Sequence, residues 1–121
     1  MKFLLVVGSR EFQNYTLLSY YLDKEVDGRK DICIVSGGAR GADSLAKEYA
    51  RHHKLEYKEF PAEWNKYEKR AGFLRNEEMH KYISERKEKK IIAFWDGSSK
   101  GTQHNFGLAE KYKNPIEIIK Y

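Results

Sequence analysis

The sequence predicts an α/β fold in which a five-stranded parallel sheet lies between helices, a three-layer sandwich. Three observations predict it. Short, wholly apolar runs of strand length alternate with longer segments of helical periodicity. Glycine-rich turns follow three of those runs. The 121 residues, 40% of them hydrophobic, are enough for one closed core, so a single domain over residues 1–121 is expected.

Phe3-Leu4-Leu5-Val6-Val7 is apolar throughout and stopped by Gly8, the pattern of a strand buried on both faces. Tyr15, Leu18, Leu22 and Val26 then recur at helical spacing behind Asn14, a suitable N-cap. Ile32-Cys33-Ile34-Val35 reads as a second buried strand, ending in Ser36-Gly37-Gly38. The next helix carries Ala42, Leu45, Ala46, Tyr49 and Ala50 on one stripe. Leu55 to Phe60 is less uniformly apolar, as a half-exposed edge strand would be, and Pro61 closes it. A charged connector through Trp64 and Tyr67 leads to a helix from Arg70 to Arg86. Ile91-Ile92-Ala93-Phe94-Trp95 is a fourth strand, followed by the loop from Asp96 to Lys100. Gly101-Thr102 opens the last helix, and Ile116 to Ile119 forms a fifth strand after Pro115.

This alternation implies right-handed crossovers. The three strongest runs belong at the centre and the weaker third and fifth at the edges, giving the spatial order 3-2-1-4-5. Such a Rossmann-like sheet binds ligands outside the carboxyl ends of its strands, where the order reverses.

Composition narrows the partner. A net charge of +5 and a pI near 9.2 suit an anion such as a nucleotide, a nucleic acid or another phosphate compound. Acidic residues interleave with most lysines, so charge alone does not choose among these. One cysteine excludes an intrachain disulfide and makes a cytoplasmic setting the expectation. The apolar run after Met1 is too short for a signal segment, and no stretch approaches a membrane span.

The candidate site is built from loops. Gly8-Ser9-Arg10, Ser36-Gly37-Gly38-Ala39-Arg40-Gly41 and Gly97-Ser98-Ser99-Lys100-Gly101-Thr102 follow strands one, two and four, and converge on one crevice. Without Cβ, glycine lets backbone N–H groups approach phosphate oxygens. The helices opening near Gly41 and Gly101 add unpaired donors and positive dipole ends. Ligand contacts are therefore expected from Gly8, Ser9, Arg10, Ser36, Gly37, Gly38, Arg40, Gly41, Gly97, Ser98, Gly101 and Thr102. Arg40 suits a bidentate phosphate clamp. Asp43, in the first helical turn, suits ribose hydroxyls.

Arg70, Arg75 and Asn76 join the set from the long helix. Arg75 interrupts its apolar face near Ala71 and Met79, so it needs an anionic partner. Asp43, Glu77 and Glu78 are the carboxylates available for acid–base work. His52, His53, His80 and His104 show no metal-ligand spacing, with one another or with Cys33, and no metal or cofactor is implied. Cys33 reads as inert core. Trp95, ending strand four, is expected nearer the crevice than Trp64. A Walker A loop and a Gly-x-Gly-x-x-Gly turn are both absent, which argues against ATP-driven phosphoryl transfer and ordinary dinucleotide dehydrogenation.

Together, Gly8-Ser9-Arg10, Ser36 to Asp43, Lys69-Arg70-Ala71-Gly72-Phe73-Leu74-Arg75-Asn76 with Met79, and Gly97 to Thr102 resemble the YspA/YpsA-related branch of the SLOG superfamily. That resemblance implies a Rossmann-like domain. It sits among binders or sensors of nucleotide-derived ligands, LOG-type phosphoribohydrolases and the single-strand-binding domain of the DNA-processing protein. It implies that Gly37, Gly38 and Gly41 wrap a phosphate, and that Gly101-Thr102 matches the LOG-type Gly-Thr. Asn105 then stands where the LOG motif has its catalytic glutamate, and a neutral amide cannot stabilise a developing oxocarbenium ion.

The leading expectation is a module that senses, carries or sequesters a phosphate-bearing nucleotide derivative, of ADP-ribose or cyclic-nucleotide type. The alternative is a hydrolase cleaving an N-glycosidic or phosphate-linked nucleotide bond. Binding of single-stranded nucleic acid ranks third, because no stripe of aromatics alternates with basic residues. Edge strands and residues such as Tyr20 and Tyr21 leave room for a homodimer.

Overall fold

Five strands pair in parallel in the order β3-β2-β1-β4-β5, built from β1 (Lys2–Gly8), β2 (Ile32–Ser36), β3 (Glu56–Glu59), β4 (Glu88–Trp95) and β5 (Ile116–Lys120). The structure, a computed structural model, describes residues 1–67 and 70–121. Glu68 and Lys69, the latter part of the motif noted above, lie outside the described residues. The sheet order is the one the apolar runs imply.

Strand residues alternate between two cores. Leu4, Val6, Ile34, Ile92 and Phe94 face α1 (Tyr15–Val26) and α2 (Ala42–His52), packing on Leu18, Leu22 and Tyr49. Phe3, Leu5, Val35, Ile91 and Ala93 face α4 (Ala71–Ser84) and α5 (Lys100–Tyr112), packing on Met79, Ile83 and Ala109. Each fully buried Leu or Ile contributes about 1.5–3 kcal/mol, so the central strands anchor the loops at their ends. Cys33 is buried in the second core. Asn14 caps α1 as expected, its Oδ1 accepting the Leu17 amide at 3.0 Å.

Two elements differ from the sequence reading. The connector after Pro61 contains a short helix, α3 (Trp64–Tyr67). Strand β4 begins at Glu88 rather than Ile91, because β1 pairs with it from Lys2 onward. Its charged start survives burial through distant partners: Lys90 Nζ reaches Glu25 at 2.7 Å and Glu117 at 3.0 Å. No helix among the described residues is long and apolar enough to cross a membrane.

Candidate functional site

The reversal lies between β1 and β4, where the Ser9 amide donates to the Phe94 carbonyl at 3.1 Å. The chain then turns back over α2. Ser9 O accepts from the Ala42 amide at 3.4 Å, and Gly41, at φ +82°, lies so close to the Ser9 and Arg10 carbonyls that no Cβ fits. The first amide of α2 is thus engaged by the protein itself, where the sequence had offered it to a phosphate.

Between these turns lies a cavity of about 420 Å³. Of the residues expected to contact ligand, Gly8, Ser9, Arg10, Asp43, Arg75, Asn76, Gly101 and Thr102 line it. A second cavity of about 400 Å³ adjoins it through Arg10, Ala39, Trp64 and Arg75, and takes in Gly37, Gly38 and Arg40. Arg40 is highly exposed there and paired with Glu11 at 2.8 Å.

Five expected contacts lie elsewhere. Ser36 is fully buried, its hydroxyl 2.6 Å from the Tyr57 hydroxyl. Gly41 is closed off by the carbonyls above it. Gly97 forms the turn beside Lys120, and Ser98 is used by Asp96, whose Oδ1 accepts the Ser98 and Ser99 amides at 2.9 and 2.8 Å. Arg70 is exposed at the start of α4 and lines neither cavity.

The glycine loop is held by side chains. Arg75 Nη1 donates to the Gly37 carbonyl at 2.7 Å, and its Nε donates to Asn76 Oδ1 at 3.0 Å. A Cβ on Gly37 would collide with that guanidinium. Asp43 accepts the Ala39 amide through Oδ2 at 3.2 Å, so the carboxylate occupies one amide of the loop that was expected to hold a phosphate. Asp43 is 7% exposed. Burial pushes its pKa up to about 6, against the pull of Arg75 and of the Ala39 and Gly37 amides. Burial likewise pushes Arg75 down, with Asp43 opposing.

On the α5 side, the Ser99 hydroxyl caps the helix by accepting from the Thr102 amide at 3.4 Å. The space a Cβ would occupy on Gly101 is open. Ser9 is 3% exposed, and its hydroxyl has no hydrogen-bond partner among the described residues. Asn105 also lines the main cavity. Its Nδ2 donates to the Gly101 carbonyl at 3.2 Å, so its Oδ1 accepts from His80 Nε2 at 3.0 Å. Burial lowers His80 to about 4, keeping the imidazole neutral.

Neither remaining carboxylate candidate faces the main cavity. Glu77 binds Lys111 and Tyr112 at 2.7 Å each, which hold it down to about 2. Glu78 borders a separate depression with Lys58 and Glu59. The tryptophans exchange places. Trp95 turns onto Phe106 and donates to the Ser99 carbonyl at 3.1 Å, whereas Trp64 lines both cavities. Phe73 and Asp96, which the sequence offered only as members of a motif and a loop, also line the main cavity.

The profile of the YspA, cpYpsA-related SLOG family matches residues 3–67, more than half of the chain. The chain belongs to that family. The matched part of this SLOG domain runs from β1 to α3. It carries the Gly8–Arg10 and Ser36–Asp43 loops, while Arg75, Asn76, Thr102 and Asn105 lie beyond it. The chain is also similar to the gene 61 protein of Mycobacterium phage D29, with 33% identity over 122 residues, 96% of this chain and 94% of that protein. Among solved structures, the C-terminal domain of the PF1911 hydrogenase from Pyrococcus furiosus matches the SLOG domain in two crystal structures, one of residues 78–226 and one of residues 83–215. The first has a TM-score of 0.55 at 11% identity, covering 97% of this chain and 89% of that one. The second has a TM-score of 0.51 at 13% identity, covering 98% and 91%. At such identities the likeness concerns the fold alone.

Proposed function

We propose that this SLOG domain binds a phosphate-bearing, nucleotide-derived small molecule in the cleft at the carboxyl ends of β1, β2 and β4. The reading is carried by the convergence around one cavity of Arg10, Arg75 and Ser9, whose buried hydroxyl has no partner among the described residues. A buried hydroxyl without a partner costs about 1–3 kcal/mol, which an anionic ligand oxygen would recover. The volume falls within the usual range of small-molecule sites, and the net charge of +5 favours an anion. Family membership and the reversal of strand order support the same location.

Binding is favoured over cleavage because position 105 offers an amide already bonded to His80 and Gly101. One observation supports hydrolysis as a second reading. Asp43, at about 6, lies in the range suited to acid–base work and borders the cavity.

A thermal-shift panel of nucleoside monophosphates, cyclic nucleotides and ADP-ribose tests both. Stabilisation with ligand recovered intact by chromatography supports binding, and recovered fragments support hydrolysis. No shift with any member contradicts both.

A further inference from the structure

Among the described residues, Trp64 and Phe73 are the two large, half-exposed apolar side chains that line the main cavity, each 48% exposed. Met1, Tyr20, Ile118 and Tyr121, similarly exposed, lie elsewhere. Trp64 stands where the two cavities meet and borders both.

Two features keep its indole there. Trp64 Cη2 comes within 3.5 Å of the place a Cβ on Gly72 would take, so the ring lies against the start of α4. The Arg10 guanidinium covers the ring, 5.7 Å from its centroid. Phe73 is held from one side, edge-on to His104 at 4.7 Å between centroids.

A guanidinium and a heterocyclic base are both flat groups that stack on an indole. The cover on Trp64 is an exposed side chain whose charge is also attracted to any phosphate in the cleft. We propose that Trp64 is the platform on which the base of the nucleotide stacks, with Phe73 as a second wall. Arg10 leaves the ring for the phosphate when the base arrives. This rests on the binding reading above and divides the cleft by chemistry. The phosphate faces Arg10, Arg75 and Ser9, and the ring system lies toward Trp64.

Calorimetric titration with AMP and with ribose 5-phosphate, which lacks only the base, separates the two ideas. In the unmodified protein AMP should bind more tightly. Trp64→Ala should weaken AMP about 5- to 100-fold, to the level of ribose 5-phosphate. It should leave ribose 5-phosphate unchanged, which also shows that the variant is folded. Trp64→Phe should keep most of the AMP affinity, and Arg10→Ala should weaken both probes. Equal affinity for the two probes, or equal loss of both in Trp64→Ala, overturns the platform and leaves the anion site standing. Failure of both probes to bind the unmodified protein overturns the platform and the binding reading together.

Discussion

Arg75 and Asp43 hold the same turn through complementary groups: Arg75 donates to the Gly37 carbonyl at 2.7 Å, and Asp43 accepts the Ala39 amide at 3.2 Å. The turn's backbone is therefore shaped by an internal cation and an internal anion. An incoming phosphate meets the cation, and the Ala39 amide of the loop is already engaged by Asp43.

Arg75→Ala should lower stability by about 2 kcal/mol, the usual worth of a hydrogen bond to a charged group. It should also weaken ribose 5-phosphate at least tenfold. Arg75→Lys keeps the charge but cannot reach both Gly37 and Asn76 with a planar fork, so it should restore only part of each loss. Urea unfolding and calorimetry measure the two effects.

Asp43 and His80 should give opposite pH dependences. Asp43 rises from 3.8 to about 6, so the folded protein holds that proton more tightly than the unfolded chain. Its contribution is present below pH 4 and is lost as pH rises through 6. His80 falls from 6.5 to about 4, so its contribution is present above 6.5 and is lost as pH drops through 4. Asp43→Asn should therefore leave a protein that weakens on acidification over this interval. His80→Gln should leave one that loses less stability on acidification than the unmodified protein, because carboxylates such as Glu77, held down to about 2, still give way there. Relative to the unmodified protein, each substitution should alter the change in unfolding free energy between pH 7 and pH 4 by on the order of 2–3 kcal/mol.

Ser9→Ala removes the orphaned hydroxyl. The free protein should become about 1 kcal/mol more stable, while affinity for ribose 5-phosphate should fall. A gain in melting temperature with unchanged affinity would remove Ser9 from the site.

Gly41→Ala should destabilise the fold by about 2 kcal/mol or more. The residue sits at φ +82° and a Cβ would strike the Ser9 and Arg10 carbonyls. Loss of chevron-derived or equilibrium stability much smaller than this would mean that the β1 turn yields easily.

The sheet was legible because buried parallel strands must be apolar on both faces, as Phe3–Val7 and Ile32–Val35 are. The first residues of β4 were not, because Lys89 and Lys90 find partners in Ser84, Glu25 and Glu117, which no local pattern announces. Arg75 was legible as a cation breaking an apolar stripe. The role of the Gly37–Gly41 turn was less so: a missing Cβ signals that something approaches closely, but not whether it is a ligand or, as at Gly37, an arginine of the same chain. Trp64 was hidden for a related reason. Trp95 ends a strand at the cleft, yet its side chain turns onto Phe106. Trp64 is brought to the cleft by the fold of the connector.

The central claim is that an anion is held at the carboxyl ends of β1, β2 and β4. Amide chemical-shift mapping of the isotope-labelled protein during titration with ribose 5-phosphate tests it most directly. The account predicts saturable shifts concentrated at Ser9, Arg10, Gly37 to Ala39, Arg75 and Gly101-Thr102. Saturable shifts confined to the opposite end of the sheet, around Asp27 to Lys30, would contradict it.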